Sequence, residues 1–315
     1  MTAKYLDTLN FLFRIILSLL FISISAQQLI TPIPLTVDYS KEKAELGRLL
    51  FSDPILSVDS TISCATCHHL NSGGDDGLPF SIGVHQQVGT INAPTVFNSA
   101  HNFVQFWDGR ASDLKEQARG PIQNPIEMGH NFDKPLHRLK KSFYYRQLFK
   151  RTYPDRLTEA NIVDALAEFE KALDTPNSRF DKYLRGDNNA LTPSEIEGFT
   201  LFKSLGCISC HNGVLLGGNM YQKFGVMKAY SDSTNQLGRF NVTGRLTDKR
   251  VFKVPMLRNI AQTAPYFHDG STASLLDAVK IMSEYQLGKP IRDDEVKSIV
   301  AFLISLTGET PDILK

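Results

Sequence analysis

Tryptophan occurs once and cysteine four times in 315 residues, and neither charge sign dominates, with 34 Lys and Arg against 33 Asp and Glu. That balance leaves no basic field of the kind a nucleic-acid binder needs. The cysteines are too few for a disulfide-held miniprotein, and 42% hydrophobic residues exclude a wholly disordered chain. No long alternation of apolar and polar residues is present, so an extended half-buried sheet is not expected. Long apolar runs are also scarce. The main one, Phe11 to Ile24, is interrupted by Arg14 and falls short of the ~20 residues of a comfortable membrane span. With Lys4 before it and Ser25-Ala26-Gln27 after it, residues 1–26 read as a secretory signal peptide, or alternatively as an uncleaved anchor. Either reading exports the body of the chain.

What is there is concentrated at the cysteines. They form two pairs, Cys64-Ala65-Thr66-Cys67-His68 and Cys207-Ile208-Ser209-Cys210-His211, both C-x-x-C-H. In an exported chain this pattern signals c-type haem attachment. Two thiols three positions apart can add to two vinyl groups on one porphyrin edge, and the adjacent imidazole can turn under the ring to bind iron. Two disulfides would also suit an exported chain. A thioredoxin-like site would be expected near a βαβ pattern, and a four-cysteine zinc site would need no histidine after either pair. Two C-x-x-C-H motifs with no cysteine left over favour two covalently bound c-type haems.

The two halves echo each other. Pro94, Asn98, Ala100, Phe106, Asp108, Gly109 and Leu114 recur, each 161 positions later, as Pro255, Asn259, Ala261, Phe267, Asp269, Gly270 and Leu275. Within the shared Phe-x-Asp-Gly string the variable residue is Trp107 in one copy and His268 in the other. Such self-similarity suggests internal duplication. Helices are expected over Lys41–Phe51, Leu136–Phe149, Glu159–Leu173, from Pro193 to Leu205 behind a Thr192/Glu195 capping box, from a Ser271 or Thr272 cap through Tyr285, and over Asp293–Leu306. Asn71 to Asn102 and Asn212 to Pro265 lack periodicity, and loops that long are usually functional or held by something large. The expected fold is mainly α: two cytochrome c-type haem domains related by internal duplication, with long haem-wrapping loops. The polar stretch Asp187–Leu191 divides it into residues 27–190 and 191–315.

From about Leu46 to Leu306 the chain resembles the bacterial dihaem cytochrome c peroxidases. The resemblance is carried by both C-x-x-C-H motifs, Gly73-Gly74, Ser81-Ile82-Gly83, Asn92-Ala93-Pro94-Thr95-Val96, Gln105-Phe106-Trp107-Asp108-Gly109-Arg110, Asn124-Pro125-x-Glu127-Met128-Gly129 and Pro265-Tyr266-Phe267-His268-Asp269-Gly270. It implies reduction of hydrogen peroxide to water with electrons from a small periplasmic donor, a monohaem cytochrome c or a copper protein. It implies a low-potential peroxidatic haem on His68, a high-potential electron-entry haem on His211 with Met282 as sixth ligand, and Trp107 as relay between them. Glu127 and Gln117 match the polar residues above the peroxidatic iron, where a carboxylate can shuttle a proton. A calcium ion between the domains would use the side-chain oxygen of Asn92 and backbone oxygens of Thr263 and Pro265. A homodimer in the periplasm is the family's usual state.

Three of these assignments have a plainer reading. On spacing alone Met282 is core filler in an amphipathic helix, Trp107 is a buried aromatic, and Glu127 is a solvated loop carboxylate. The sequence also departs from the family at one point. Several members carry a histidine sixteen positions after the haem histidine, where this chain has Val84 and places His85 next to it. His85 is expected to reach the resting iron as a removable sixth ligand, or, if it points away, to leave the site open without reductive activation. His101, His130 and His137 read as surface or loop residues. The competing functions are a dihaem electron carrier without catalysis and a protein-modifying dihaem oxidase. A polar open site at Glu127 and Gln117 argues against the first. The related group that matures tryptophan-derived cofactors has tyrosine at the Met282 position, which argues against the second.

Overall fold

A computed structural model describes residues 29–129, 131–231 and 234–315. The expected signal segment and His130 lie outside the described residues. The fold is mainly helical. Among the described residues its α-helices of six residues or more are α1 (Lys41–Ser52), α2 (Leu114–Gln123), α3 (Asp133–Lys141), α4 (Phe143–Thr152), α5 (Glu159–Lys171), α6 (Arg179–Leu184), α7 (Pro193–Ser204), α8 (Leu275–Ile281) and α9 (Asp293–Ile304). The strands β1 (Tyr221–Lys223) and β2 (Val251–Lys253) pair antiparallel, with Tyr221 opposite Lys253.

Two helix pairs carry two apolar cores. In the first, Leu46, Leu50 and Phe51 of α1 bury against Ile162, Leu166 and Phe169 of α5. In the second, Phe202 of α7 buries against Ile299, Phe302 and Leu303 of α9. Each fully buried side chain of this size contributes about 1.5–3 kcal/mol of transfer free energy. A glycine sets the approach in both pairs. A Cβ on Gly47 would fall 1.9 Å from the Ala165 carbonyl oxygen, and one on Gly198 would fall 1.8 Å from that of Ser298. Phe180 of α6 packs in the second core, so the chain changes cores before the polar stretch at Asp187–Leu191. Ile30 also joins the second core, whereas Ile313 and Leu314 pack against the first.

The repeated sequence positions adopt repeated geometry. Asn98 and Asn259 are left-handed at φ 58° and 61°, and Phe106 and Phe267 at 66° and 70°. Short bridges join Gln105 to Ala111 and Tyr266 to Thr272. The helices that follow start at Leu114 and Leu275, the last of the matched pairs.

Several element boundaries differ from the sequence expectation. Leu136–Phe149 is two helices, because the Ser142 side chain accepts from the Tyr145 amide and caps a new one. Ser274, not Ser271 or Thr272, caps α8 by accepting from the Asp277 amide, since Thr272 is engaged in its bridge. α8 ends at Ile281 and passes into a π-helical turn over Met282–Leu287. The helix α2 carries only a thin apolar stripe, with Leu114, Ala118 and Ile122 the buried ones of its ten residues.

Candidate functional site

Each cysteine pair sits on a single tight turn that presents the following histidine. Cys64–Cys67 is one helical turn, closed by the His68 amide on the Cys64 carbonyl at 3.0 Å. Cys207–Ser209 is a 3-10 turn, closed by the His211 amide on the Cys207 carbonyl at 2.9 Å. The surroundings of the two imidazoles also repeat. His68 Nδ1 lies 3.1 Å from the Gly74 carbonyl and His211 Nδ1 3.1 Å from that of Leu216. Each ring has a phenylalanine 6.4 Å away, Phe51 or Phe202. A carbonyl at Nδ1 holds the proton there and leaves the Nε2 lone pair for a metal. Burial lowers the pKa of both imidazoles, to about 4 for His211, which keeps them in the neutral, ligating form. Burial also pushes Cys64 up to about 12 and Cys67 and Cys207 to about 11.

Both motifs open on one cavity of about 600 Å³. Its wall includes Cys64, Cys67 and His68 from the first half and Cys207, Cys210 and His211 from the second, with Trp107, Gln117, Glu127 and Met282 between and around them. The residues fit two porphyrins. Paired thiols and a neutral imidazole line each end, and the wall between them is largely apolar.

Trp107 ties the halves together. Its Nε1 donates to the Asn92 carbonyl at 2.9 Å, and its own carbonyl accepts from the Lys253 amide at 2.8 Å. Its ring meets Phe252 at 6.4 Å and His268 at 6.2 Å, both edge-on. Phe252 in turn stacks on His268 with centroids 4.3 Å apart, so the buried His268 packs inside an aromatic cluster.

Glu127 is a cavity-wall carboxylate. Asn124 Nδ2 donates to its Oε1 at 2.6 Å, and Oε2 has no partner among the described residues. Burial raises its pKa, opposed by the Asn124 hydrogen bond and by Arg110. Gln117, on α2, lines the same cavity. Met282 lines it at the junction of α8 and the π-turn, a local geometry often found at functional sites. Asn92, Thr263 and Pro265 are also on the wall. Asn92 Nδ2 donates to the Leu78 carbonyl at 2.9 Å, which turns its amide oxygen the other way. A neutral oxygen set of this kind fits a hard cation.

His85 is not on the cavity wall. Its side chain is 65% exposed, with Nδ1 3.6 Å from Asp59 Oδ2. The one-residue shift explains this. Val84, sixteen positions after His68, is fully buried, and its amide donates to the Glu127 carbonyl at 2.8 Å. The next residue must then point out, and His85 does so with φ 56°.

Comparison with known proteins decides the family. Residues 41–189 match the family model described as di-haem cytochrome c peroxidase. The chain is 50% identical to cytochrome c551 peroxidase of Nitrosomonas europaea over 289 residues, covering 91% of this chain and 86% of that protein. The chain belongs to the di-haem cytochrome c peroxidase family. The methylamine utilization protein MauG of Methylophilus methylotrophus is more distant, at 31% identity over 88% of this chain and 86% of that protein. Among solved structures, a MauG-like protein associated with microbial copper homeostasis superimposes with a TM-score of 0.79 at 29% identity, covering 90% of this chain and 94% of that one.

The peroxidase also holds polar groups that the sequence did not reveal. His101, expected at the surface or in a loop, is half-buried with Nε2 2.6 Å from Asp174 Oδ2. Glu170 is buried on the cavity wall near Cys64, and burial raises its carboxyl to about 8. Lys253 is buried on the same wall. Each lies far in sequence from what it faces, so no local pattern marks it.

Proposed function

We propose that this peroxidase reduces hydrogen peroxide to water with electrons from a small periplasmic donor, a monohaem cytochrome c or a copper protein. Two electrons and two protons convert one peroxide into two waters. The reading is carried by one observation: His68, Glu127, Trp107, Met282 and His211 line a single cavity. When bound through Cys64/Cys67 and Cys207/Cys210, two c-type haems supply a peroxide-binding iron at His68 and an electron-entry centre at His211 and Met282. Trp107, held from both halves, is the bridge between them.

The protein's own part is to orient peroxide and to move its proton. Glu127 Oε2 takes the proton from the near oxygen and returns it to the far oxygen, which leaves as water. Asn124 fixes the carboxylate through Oε1, and Gln117 orients the peroxide as a neutral amide. His85, turned out beside Asp59, does not line the cavity. Asn92, Thr263 and Pro265 would hold a calcium ion that braces the junction between halves. The matched left-handed positions and bridges support internal duplication, with the long segments around 71–102 and 212–265 wrapping the haems. Export to the periplasm and assembly as a homodimer complete the proposal.

The test is a mass measurement with a turnover assay. The denatured polypeptide should retain two haems, and Cys64→Ala with Cys67→Ala should lose one together with peroxide turnover. A polypeptide carrying one haem or none overturns the reading.

A further inference from the structure

Lys253 is a buried cation without a counter-ion among the described residues. It is 7% exposed, lines the cavity, and its Nζ makes no hydrogen bond or ion pair among the described residues. Glu127, Glu170 and Asp108 share the wall, yet none is within ion-pair distance of it. Burial alone pushes its ammonium down to about 8, with no acidic neighbour to oppose the shift. An unpaired ammonium in such a place is costly unless an anion joins it, and the described residues supply none. The anion therefore comes with whatever fills the cavity. A c-type haem brings two propionate carboxylates on the ring edge remote from its thioether bonds.

The backbone shows why the lysine is there. β2 pairs with β1, and the Lys253 amide donates to the Trp107 carbonyl at 2.8 Å. The side chain is thus anchored beside the bridge between the halves. We infer that the Lys253 ammonium pairs with a haem propionate next to Trp107, fixing that ring edge against the bridge and raising the potential of that haem. This rests on the reading that two haems fill the cavity. The sign follows from charge. A free propionate stabilises the ferric ring, which carries one more positive charge than the ferrous ring, and a paired ammonium cancels that preference. Either haem can supply the carboxylate, and the shared chemistry is the same. Lys253 is a positioning residue; it does not touch peroxide.

The experiment is a spectroscopic redox titration of the purified dihaem protein, wild type against Lys253→Gln and Lys253→Arg, after haem content is counted. Lys253→Gln should keep both haems and lower one midpoint by about a tenfold change in the reduction equilibrium, ~59 mV for one electron. Lys253→Arg should restore most of it. The haem that shifts identifies the source of the propionate. Two unchanged midpoints in Lys253→Gln overturn the pairing, and so does an equal fall in Lys253→Arg, which marks a packing defect. A wild-type protein without two haems overturns the site reading itself, and the lysine's role with it.

Discussion

Asp59 Oδ2 lies 3.6 Å from Nδ1 of His85, on the outer side of the loop whose inner side is filled by Val84. The Asp59 carboxyl is held below its ordinary range, chiefly by Thr61 hydrogen bonds and in part by His85. In this arrangement the His85 ring is turned away from the cavity that His68 lines.

The first prediction follows from that pair. In the oxidised enzyme the His68 haem should be high-spin, and His85→Ala should leave its electron paramagnetic resonance spectrum unchanged. A low-spin wild-type signal that turns high-spin in the variant would show that the loop closes on the iron.

Glu127→Gln should cut peroxide turnover by about 10²- to 10⁴-fold, the usual contribution of a positioned acid–base group, with both haems retained. Burial raises the Glu127 pKa, so its base form appears at higher pH than for an ordinary carboxylate. The acid limb of kcat/KM should therefore rise through that elevated pKa and disappear in the variant. A pH series on pre-reduced enzyme checks both points.

Met282→His should lower the potential of the His211 haem, because methionine with histidine raises a haem potential and two histidines do not. A redox titration reads it directly. An unchanged midpoint would leave Met282 as packing at the start of the π-turn.

Arg258 and Asp181 form an ion pair at 2.8 Å with both side chains fully buried. Arg258 also donates to the carbonyls of Val214 and Thr31, at 2.9 and 3.1 Å. Val214 belongs to the loop whose Leu216 carbonyl meets His211. Arg258→Met should cost about 3–5 kcal/mol, because it strands a buried charge. Chemical denaturation should show that loss, and Arg258→Met with Asp181→Leu should recover a large part of it.

What the sequence made legible was short-range. The haem motifs are complete within five residues, and the Thr192/Glu195 capping box forms as its spacing implies, with the Thr192 side chain accepting from the Glu195 amide. The 161-residue register between Asn98 and Asn259 is visible as identity and again as matched backbone angles. Features that depend on which way a single residue faces were not legible. Ser142 splits a helix whose apolar pattern reads through it. His85 is displaced outward by one position. Lys253 acquires its meaning only where β2 meets Trp107, 146 positions earlier in the chain, and His101 only where it meets Asp174.

The first described residues and the last ones are exchanged between the two cores. Ile30 packs in the core of α7 and α9, and the Ile33 amide donates to buried Asp181 at 3.2 Å. Ile313 and Leu314 pack on the core of α1 and α5, and the Glu309 amide donates to the Pro176 carbonyl at 2.8 Å. The polypeptide is clasped like a belt whose two ends cross. A cut at the middle would release two fragments, each holding a strap that belongs to the other and each exposing the groove that strap should fill. Each separated half would leave apolar surface bare, so the crossed straps couple the stability of the two cores to one another.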